Sequence, residues 1–394
     1  MKILVFLPRF PYPLNKGDKL RAFNQIKELS KNNDIYLFAL SNRQIKNSEI
    51  NILKNYCKDV RIEKLLLIGR LLSLVLCIFN KLPLQVALFT TFLAKRHFIN
   101  YYKQLEPNAV YFQFVRSGEY AKLIKKQCGE DKPKLVLDFQ DCLSMNMFRR
   151  AEISKTLIKL LLMQEVRRLR DYENRMFDVV DTLTIITQQD RGCIISQRRK
   201  EVKIIENGVD RKYFEYKGNC KKQFDIIFSG NMSYKPNVVA AQYLIKNIMP
   251  LVWKKNKNVN VCLAGSNPSK EVRELANEHV MVTGWVEDMR EYYAKSLIFI
   301  APMQIGTGLQ NKLLEAMAMM LPCVTTPLAN HALKTKENEH ILVGQSATDL
   351  ANHILALLKN SSYRYNIAKS GNNFVKENYS WQISTARLEK LLRG

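Results

Sequence analysis

Residues 301–318 read APMQIGTGLQNKLLEAMA, the stretch that decides how this chain is interpreted. An apolar strand is predicted to end at Pro302, a turn containing Gly306 and Gly308 follows, and a helix begins after the turn. The first N–H groups of a helix have no partner within it and carry the positive end of the helix dipole. At the carboxyl edge of a strand, this arrangement favours the binding of an anion such as a phosphate.

Two charged residues follow this turn. Lys312 lies in the first turn of the predicted helix, where its ammonium group can neutralise a phosphate. Glu315, three residues further on, can accept hydrogen bonds from the hydroxyl groups of a sugar or ribose. The pattern fits a ligand that joins a phosphate to a hydroxyl-rich group. The alternative is a plain glycine turn before a helix that exposes a lysine and a glutamate.

The fold prediction extends outward from this stretch, because short apolar runs alternate with helix-period segments, as in βα units around parallel sheets. The first series of predicted strands is 3–7, 35–40, 109–114, 135–139, 182–187 and 203–205. The second series follows a polar stretch at 211–223 and comprises 225–229, 259–264, 280–283, 297–301, 322–326 and 341–343. The chain is therefore predicted to be an α/β protein of two doubly wound domains.

The domain boundaries follow from this restart. We expect domains at residues 1–205 and 206–375, and an amphipathic segment at 376–394 that either packs on the surface or returns to the first domain. Ligands of such sheets bind beyond the carboxyl ends of the strands. The two domains are therefore expected to face each other across a cleft that holds the active site.

Composition and charge limit the class of protein. The chain has 394 residues, 47% of them apolar, and 61 Lys and Arg against 36 Asp and Glu give a formal charge of +25. Both signs are spread along the chain, which excludes a disordered chain and a detachable basic tail. The N-terminal apolar run 3–7 is too short for a signal peptide, so we expect a cytoplasmic protein. The eight cysteines occur singly, without metal-ligand spacing, and are expected to be reduced thiols.

The decisive stretch also carries a family resemblance. Residues 306–318 resemble the donor-site signature of glycosyltransferase family 4 and, with 321–324, are similar to its bacterial group 1 branch. Four further segments resemble that family in the same order along the chain. They are the first loop at 11–21, ENGVD at 206–210, SGNMSYKPN at 229–237 and GWVED at 284–288.

The resemblance implies a GT-B architecture of two Rossmann-like domains and transfer of a sugar from a nucleotide-sugar with retention of anomeric configuration. No metal ion or cofactor is needed in that scheme. Lys312 would help the diphosphate to leave, because negative charge grows on it as the sugar bond breaks. The implied donor-binding residues are Gly17, Gly230, Asn231, Lys235, Glu287, Gly306, Thr307, Gly308, Leu309, Gln310, Asn311 and Glu315.

This sequence departs from the family pattern at three of those positions. Thr307 stands where the family often has a first glutamate, with seven residues between it and the second, at Glu315. Asn231 stands where the donor-domain loop of the family commonly has an arginine. Lys235 lies one position away from the place where that loop usually has a lysine. Lys312 is therefore expected to carry much of the neutralisation of the phosphate charge.

Two aspartates are the candidates on the acceptor side. Asp138 and Asp141 lie at the end of a predicted strand, in a region where many relatives have a histidine. Either could orient an acceptor hydroxyl or act as a base if its pKa is suited. The alternative is that an aspartate caps the following helix, a role for which Ser144 competes.

Residues 65–79 are too apolar for an ordinary exposed helix and too short to span a bilayer. With the basic excess, they predict a surface that lies in the interface of an anionic membrane. The alternative is that they pack inside the first domain.

The sequence therefore predicts a retaining hexosyltransferase on the inner face of a bacterial membrane. Its acceptor would be a lipid-linked glycan of a surface polysaccharide. One alternative is a sugar-nucleotide epimerase or hydrolase of the same architecture. A nucleic-acid-binding protein is suggested by charge alone, without a recognisable motif, so nucleic acid is not expected as a partner.

Overall fold

The computed structural model describes residues 1–14, 16–127, 132–152, 154–216, 218, 220–305 and 309–394, without the side chains of 78–80. Two compact units divide the chain. The first is Met1–Glu206 with Trp381–Gly394, and the second is Asn207–Ser380. The second unit ends later than residue 375 because its last helix continues to Asn378. Its two ends meet at a parallel bridge between Val209 and Ser380.

The first unit is built on a parallel sheet of seven strands in the order β3-β2-β1-β4-β5-β6-β7. The strands are β1 (Lys2–Leu7), β2 (Asp34–Ser41), β3 (Asp59–Lys64), β4 (Ala109–Gln113), β5 (Lys134–Asp138), β6 (Thr182–Ile185) and β7 (Lys203–Ile204). Side chains alternate across this sheet: Leu4 and Phe6 enter one apolar core, whereas Ile3 and Val5 enter the other. Helices therefore cover both faces of the sheet.

The helices of the first unit follow the chain order, with one return from the C-terminus. They are α1 (Gly17–Leu29), α2 (Asn47–Lys54), α3 (Leu67–Asn80), α4 (Leu84–Ala87), α5 (Phe92–Leu105), α6 (Gly118–Gln127), α7 (Leu143–Glu152), α8 (Thr156–Val179) and α9 (Gln188–Cys193). The C-terminal helix Trp381–Arg393 also belongs to this unit. Its Leu388 and Leu392 join the core formed by Ile26 and Leu29 of α1.

The second unit has a six-stranded parallel sheet in the order β10-β9-β8-β11-β12-β13 around one apolar core. Its strands are β8 (Phe224–Ser229), β9 (Val261–Ala264), β10 (Val280–Gly284), β11 (Ser296–Ala301), β12 (Cys323–Thr325) and β13 (Leu342–Val343). Its helices are α10 (Arg211–Phe214), α11 (Lys235–Tyr243), α12 (Met249–Trp253), α13 (Lys270–Arg273), α14 (Met289–Ala294), α15 (Asn311–Ala318), α16 (Pro327–Leu333), α17 (Ala347–Lys359) and α18 (Ser361–Asn378). A π turn at Leu244–Ile248 joins α11 to α12.

Both sheets reverse their strand order once, between β1 and β4 in the first unit and between β8 and β11 in the second. Ligands of open parallel sheets bind at such a reversal, beyond the carboxyl ends of the strands. The prediction of two Rossmann-like α/β domains is confirmed.

Two further sequence expectations meet direct observations. Every cysteine among the described residues is a free thiol; Cys128 lies outside them. Within the described ranges, no helix combines the length and apolar content that a bilayer crossing requires.

Candidate functional site

The candidate donor site lies at the strand reversal of the second unit, where α15 begins after β11. Gly306, Thr307 and Gly308, which the sequence predicts to bind the donor phosphates, lie outside the described residues. Leu309 packs partly against the core of the unit, and the amide of Leu313 donates to the carbonyl of Gln310 at 2.9 Å, which closes the first turn. The helix therefore directs its first N–H groups toward the reversal point.

Lys312 lies in the first turn of this helix and turns inward. Its Nζ donates to Oδ1 of Asn237 at 2.5 Å and lies 4.6 Å from the centre of the Phe228 ring. Burial lowers the pKa of Lys312 to about 7, although the carboxylate of Glu315 opposes that shift. The free protein therefore holds a lysine that is readily deprotonated near neutral pH, and an anionic ligand would favour its charged form.

The carboxylate of Glu315 contacts the hydroxyl of Tyr293, which in turn lies beside the hydroxyl of Ser229. Tyr293 donates its phenol hydrogen to Oε2 of Glu315 at 3.2 Å, and the Ser229 and Tyr293 hydroxyl oxygens lie 2.8 Å apart. Burial raises the pKa of Glu315 to about 7, and the Tyr293 hydrogen bond and the charge of Lys212 oppose that shift. A carboxylate placed in this way can accept hydrogen bonds from ligand hydroxyls with its remaining lone pairs.

A pair of glycines brings the backbone close to Lys312. Gly230 has φ +152°, and a Cβ there would lie 2.7 Å from Nδ2 of Asn237 and 3.1 Å from Nζ of Lys312. Gly265 has φ +140°, and a Cβ there would lie 1.8 Å from the carbonyl oxygen of Gly230. Asn237 also donates to the carbonyl of Asn231 at 2.9 Å. These two glycines allow the loops after β8 and β9 to touch beside the lysine.

Replacing Gly265 by alanine should damage this site and destabilise the second unit. The obstructing atom is a backbone oxygen that cannot rotate away, so we expect a loss of about 1–3 kcal/mol in unfolding free energy. Thermal unfolding and titration with a nucleotide-sugar measure the two effects. Gly192→Ala is the matched control, because a Cβ at Gly192 has no described atom within 4 Å. Equal stability and donor affinity in Gly265→Ala and wild type would contradict this account.

The remaining predicted donor residues of the second unit occupy different settings. Asn311 accepts a hydrogen bond from Nδ2 of Asn207 at 3.3 Å, which joins the ENGVD segment to the start of α15. The side chain of Asn231 accepts from the amide and the hydroxyl of Ser233. Lys235 is exposed at the first position of α11, and Glu287 is exposed before α14. Their donor-binding roles stay predictions.

Sequence reasoning missed five contributors to the donor site: Phe228, Ser229, Asn237, Gly265 and Tyr293. Ser229 and Asn237 lie at the ends of the recognised SGNMSYKPN segment, so their position could have drawn attention to them. Tyr293 on α14 carries no local signal, because it reaches Glu315 only through the packing of α14 beside β11.

In the first unit, Asp138 is fully buried at the end of β5. Its Oδ2 accepts from Nε of Arg21 at 2.7 Å and from the hydroxyl of Tyr111 at 3.0 Å. Its Oδ1 accepts from the hydroxyl of Thr184 at 2.9 Å and the amide of Gln140 at 3.2 Å. These partners give the carboxylate a structural role within the unit, and its predicted catalytic role stays a prediction.

Asp141 lies three residues further on and is only partly buried. Burial, followed by the negative charges of Asp190 and Glu173, raises its pKa to about 7, whereas the charge of Arg116 lowers it. The backbone beside it is unusual, because Gln140 and Phe114, which follow β5 and β4, both have φ +63°. Non-glycine residues with positive φ concentrate at functional sites, where the surrounding structure maintains them.

Gly17 is exposed at the first position of α1. The next residue, Asp18, forms an ion pair with Arg9 at 2.9 Å across the loop that precedes the helix. The charges of Arg9, Asp18 and Asp141 all act on the guanidinium of Arg116, whose pKa is lowered chiefly by burial. The carboxyl edge of the first sheet therefore gathers two arginines and two carboxylates.

Known proteins match this chain in sequence and in fold. Residues 223–360 match the family model described as glycosyl transferases group 1. Over 389 residues, 96% of both chains, this chain is 22% identical to an "uncharacterized 44.6 kDa protein in cps region" of Klebsiella pneumoniae.

Two solved structures illustrate the likeness in fold. Sucrose-phosphate synthase from Thermosynechococcus elongatus superposes with a TM-score of 0.70 at 15% identity, over 100% of this chain and 98% of that one. Anabaena HepE in complex with UDP-glucose superposes with a TM-score of 0.68 at 13% identity, over 99% of both chains. At such identities the likeness shows the fold alone, and the predicted GT-B fold is confirmed.

Proposed function

We propose that this group 1 glycosyltransferase transfers a hexose from a nucleoside diphosphate sugar to a lipid-linked glycan, with retention of anomeric configuration. The group and the fold are confirmed, and the narrower assignment to family 4 is part of the proposal. The relative in the cps region of Klebsiella pneumoniae supports a role in the assembly of a surface polysaccharide. The proposed place of work is the inner face of the cell membrane.

The observation that carries the proposal is that Lys312 and Glu315 lie three residues apart at the start of α15. One side chain can supply positive charge to a diphosphate, and the other can accept hydrogen bonds from ribose, within a single helical turn. HepE, which shares the fold, was solved in complex with UDP-glucose, and this agrees with a nucleotide-sugar site in this chain. The charge on Lys312 and the helix N–H groups would stabilise the departing diphosphate without a metal ion.

On the acceptor side, the proposal favours Asp141 over Asp138. The carboxylate of Asp138 already accepts four hydrogen bonds within the first unit. Asp141 is partly exposed, and with a pKa of about 7 it can take or release a proton near neutral pH. In this scheme Asp141 orients the acceptor hydroxyl, and Asp138 keeps the strand end in place.

The test is acceptor-dependent turnover of a panel of nucleoside diphosphate hexoses by the full chain, with lipid-linked oligosaccharides as acceptors. We expect nucleoside diphosphate release that requires acceptor, and an NMR coupling constant of the product that reports retention. Glu315→Gln should weaken donor binding, whereas Glu274→Gln, an exposed carboxylate of the same unit, should not. Turnover of donor without acceptor would instead establish the epimerase or hydrolase alternative, and an inverted product would exclude retention.

A further inference from the structure

The helix α3 displays the reverse of the usual distribution of large and small residues. Seven large apolar side chains in and just before it are between 53% and 73% exposed: Leu66, Leu67, Ile68, Leu71, Leu72, Val75 and Leu76. Its small residues Gly69, Ser73 and Cys77 face the protein instead. A helix on the surface of a water-soluble protein normally places its large apolar residues toward the core. The outward face of α3 is therefore typical of a helix that contacts an apolar environment.

The starts of two other helices lie beside α3. The hydroxyl of Ser73 donates to the carbonyl of Thr90 at 2.8 Å, immediately before α5, whose first residues Phe92 and Leu93 are exposed. The carboxylate of Glu165 on α8 accepts from the amide of Leu84 at 3.0 Å, and its charge also acts on the Cys77 thiol of α3. The first contact places the segment before α5 beside α3, and the second places α8 beside the start of α4.

The first two turns of α8, which precede Glu165, also expose large apolar side chains. Leu157, Ile158, Leu160 and Leu161 are between 53% and 74% exposed, and they lie one to two turns before Glu165. Together with the seven residues in and just before α3 and with Leu84, Phe92 and Leu93, these residues make up what we call the exposed apolar face. The sequence alone directs attention to residues 65–79. Of the described side chains of this segment, Leu65 joins the core of the first unit and Cys77 is buried, whereas most of the large apolar ones are exposed.

Charge selects among the possible partners of this face. The three segments that carry it, 64–81, 84–96 and 155–161, contain seven basic residues and no acidic residue. The basic residues are Lys64, Arg70, Lys81, Lys95, Arg96, Lys155 and Lys159. A protein interface typically centres on Tyr, Trp and Arg with a rim of mixed polarity, whereas these three segments offer Leu, Ile, Val and Phe with basic residues. Of the basic residues, Lys95 lies 3.7 Å from the carboxylate of Glu119 on α6. Apolar residues fringed by bases match the surface of an anionic bilayer.

We propose that the exposed apolar face docks the first unit onto anionic lipid, with α3 lying in the bilayer interface and the start of α8 inserting as a second contact. With 14 residues, α3 is about 21 Å long, too short to cross a hydrocarbon core of about 30 Å. The inference deepens the proposed function, because a docked enzyme meets a lipid-linked acceptor in the plane of the membrane. Docking onto lipid can be measured without the donor or the acceptor, so its test is separate from the test of sugar transfer.

The experiment is cosedimentation of the full chain with phosphatidylcholine vesicles, with and without phosphatidylglycerol, at low salt and at about 1 M salt, where the Debye length is about 3 Å. Wild type should bind the anionic vesicles and bind less at high salt. Leu72→Ser/Val75→Ser in α3 and Leu157→Ser/Leu161→Ser in α8 should each reduce binding by at least about tenfold. All four positions are exposed, so thermal unfolding should be unchanged.

The matched control is Met281→Ser/Tyr365→Ser, which removes two exposed apolar side chains from the second unit and should bind like wild type. Full binding by the α8 variant would exclude α8 from the docking surface. A wild type that ignores vesicles but forms an oligomer that the α3 and α8 variants dissolve would overturn lipid docking in favour of self-association. Vesicle binding without any sugar transfer would instead contradict the proposed function and leave the docking surface intact.

Discussion

Lys312→Met is expected to lower kcat/KM for sugar transfer by about 10- to 150-fold, which corresponds to about 1.5–3 kcal/mol for a lost charge-assisted hydrogen bond. The side chain already points inward, where Asn237 and the Phe228 ring hold its Nζ beside the backbone of Gly230. A diphosphate at the start of α15 would take over this ammonium group as its counter-charge. Methionine keeps much of the volume of the lysine and removes its charge and its hydrogen-bond donors.

The pH dependence of donor affinity gives a second readout of the same variant. Burial lowers the pKa of Lys312 to about 7 in the free protein, and a bound diphosphate raises it by favouring the charged form. Binding therefore takes up a proton above about pH 7, and donor affinity should fall as the pH rises beyond that value. Lys312→Met should flatten that part of the slope. Any slope that remains reports Glu315, whose pKa is also about 7.

The control is Lys270→Met, because Lys270 is largely exposed and pairs only loosely with Glu274. Its kinetics and pH profile should match those of wild type. A folded Lys312→Met protein with wild-type kcat/KM and an unchanged pH slope would remove the lysine from the donor site. In that case the helix N–H groups alone would have to neutralise the donor.

The fold was accessible from sequence wherever strands are buried on both faces. Runs such as 3–7 and 297–301 consist of apolar residues because helices cover both sides of each sheet, and the prediction of these strands agrees with the structure. The strand β3 was missed for the same reason in reverse. It is the edge of its sheet, and its sequence DVRIEK alternates charge with apolar residues instead of forming an apolar run.

Residues of the candidate site could be predicted only where the functional groups lie close together along the chain. Lys312 and Glu315 could be singled out because a turn, a helix start and two charges follow one another within ten residues. Tyr293 and Gly265 could not, since each acts on a residue that the fold brings near from another strand or helix. The buried ion pair of Asp138 could not be predicted either, because its partner Arg21 lies 117 positions away along the chain.

Arg21→Met is expected to destabilise the first unit by about 3–5 kcal/mol, the cost typical of leaving one partner of a buried ion pair without the other. Both side chains are completely buried, and Nε of Arg21 lies 2.7 Å from Oδ2 of Asp138. Without the guanidinium, the carboxylate would keep its hydrogen bonds from Tyr111 and Thr184 but lose its counter-charge. Urea unfolding followed by circular dichroism measures the change.

The double variant Arg21→Met/Asp138→Leu separates structure from catalysis. If Asp138 acts only on folding, removing both charges should restore part of the stability lost in Arg21→Met, because no buried charge is left without a partner. The recovery should be incomplete, because the Thr184 hydroxyl and the Gln140 amide lose their acceptor. The double variant should then transfer sugar at a rate near that of wild type per folded molecule. If Asp138 is instead the acceptor-side catalytic group, the double variant will be stable and inactive. That result would return the catalytic role from Asp141 to Asp138.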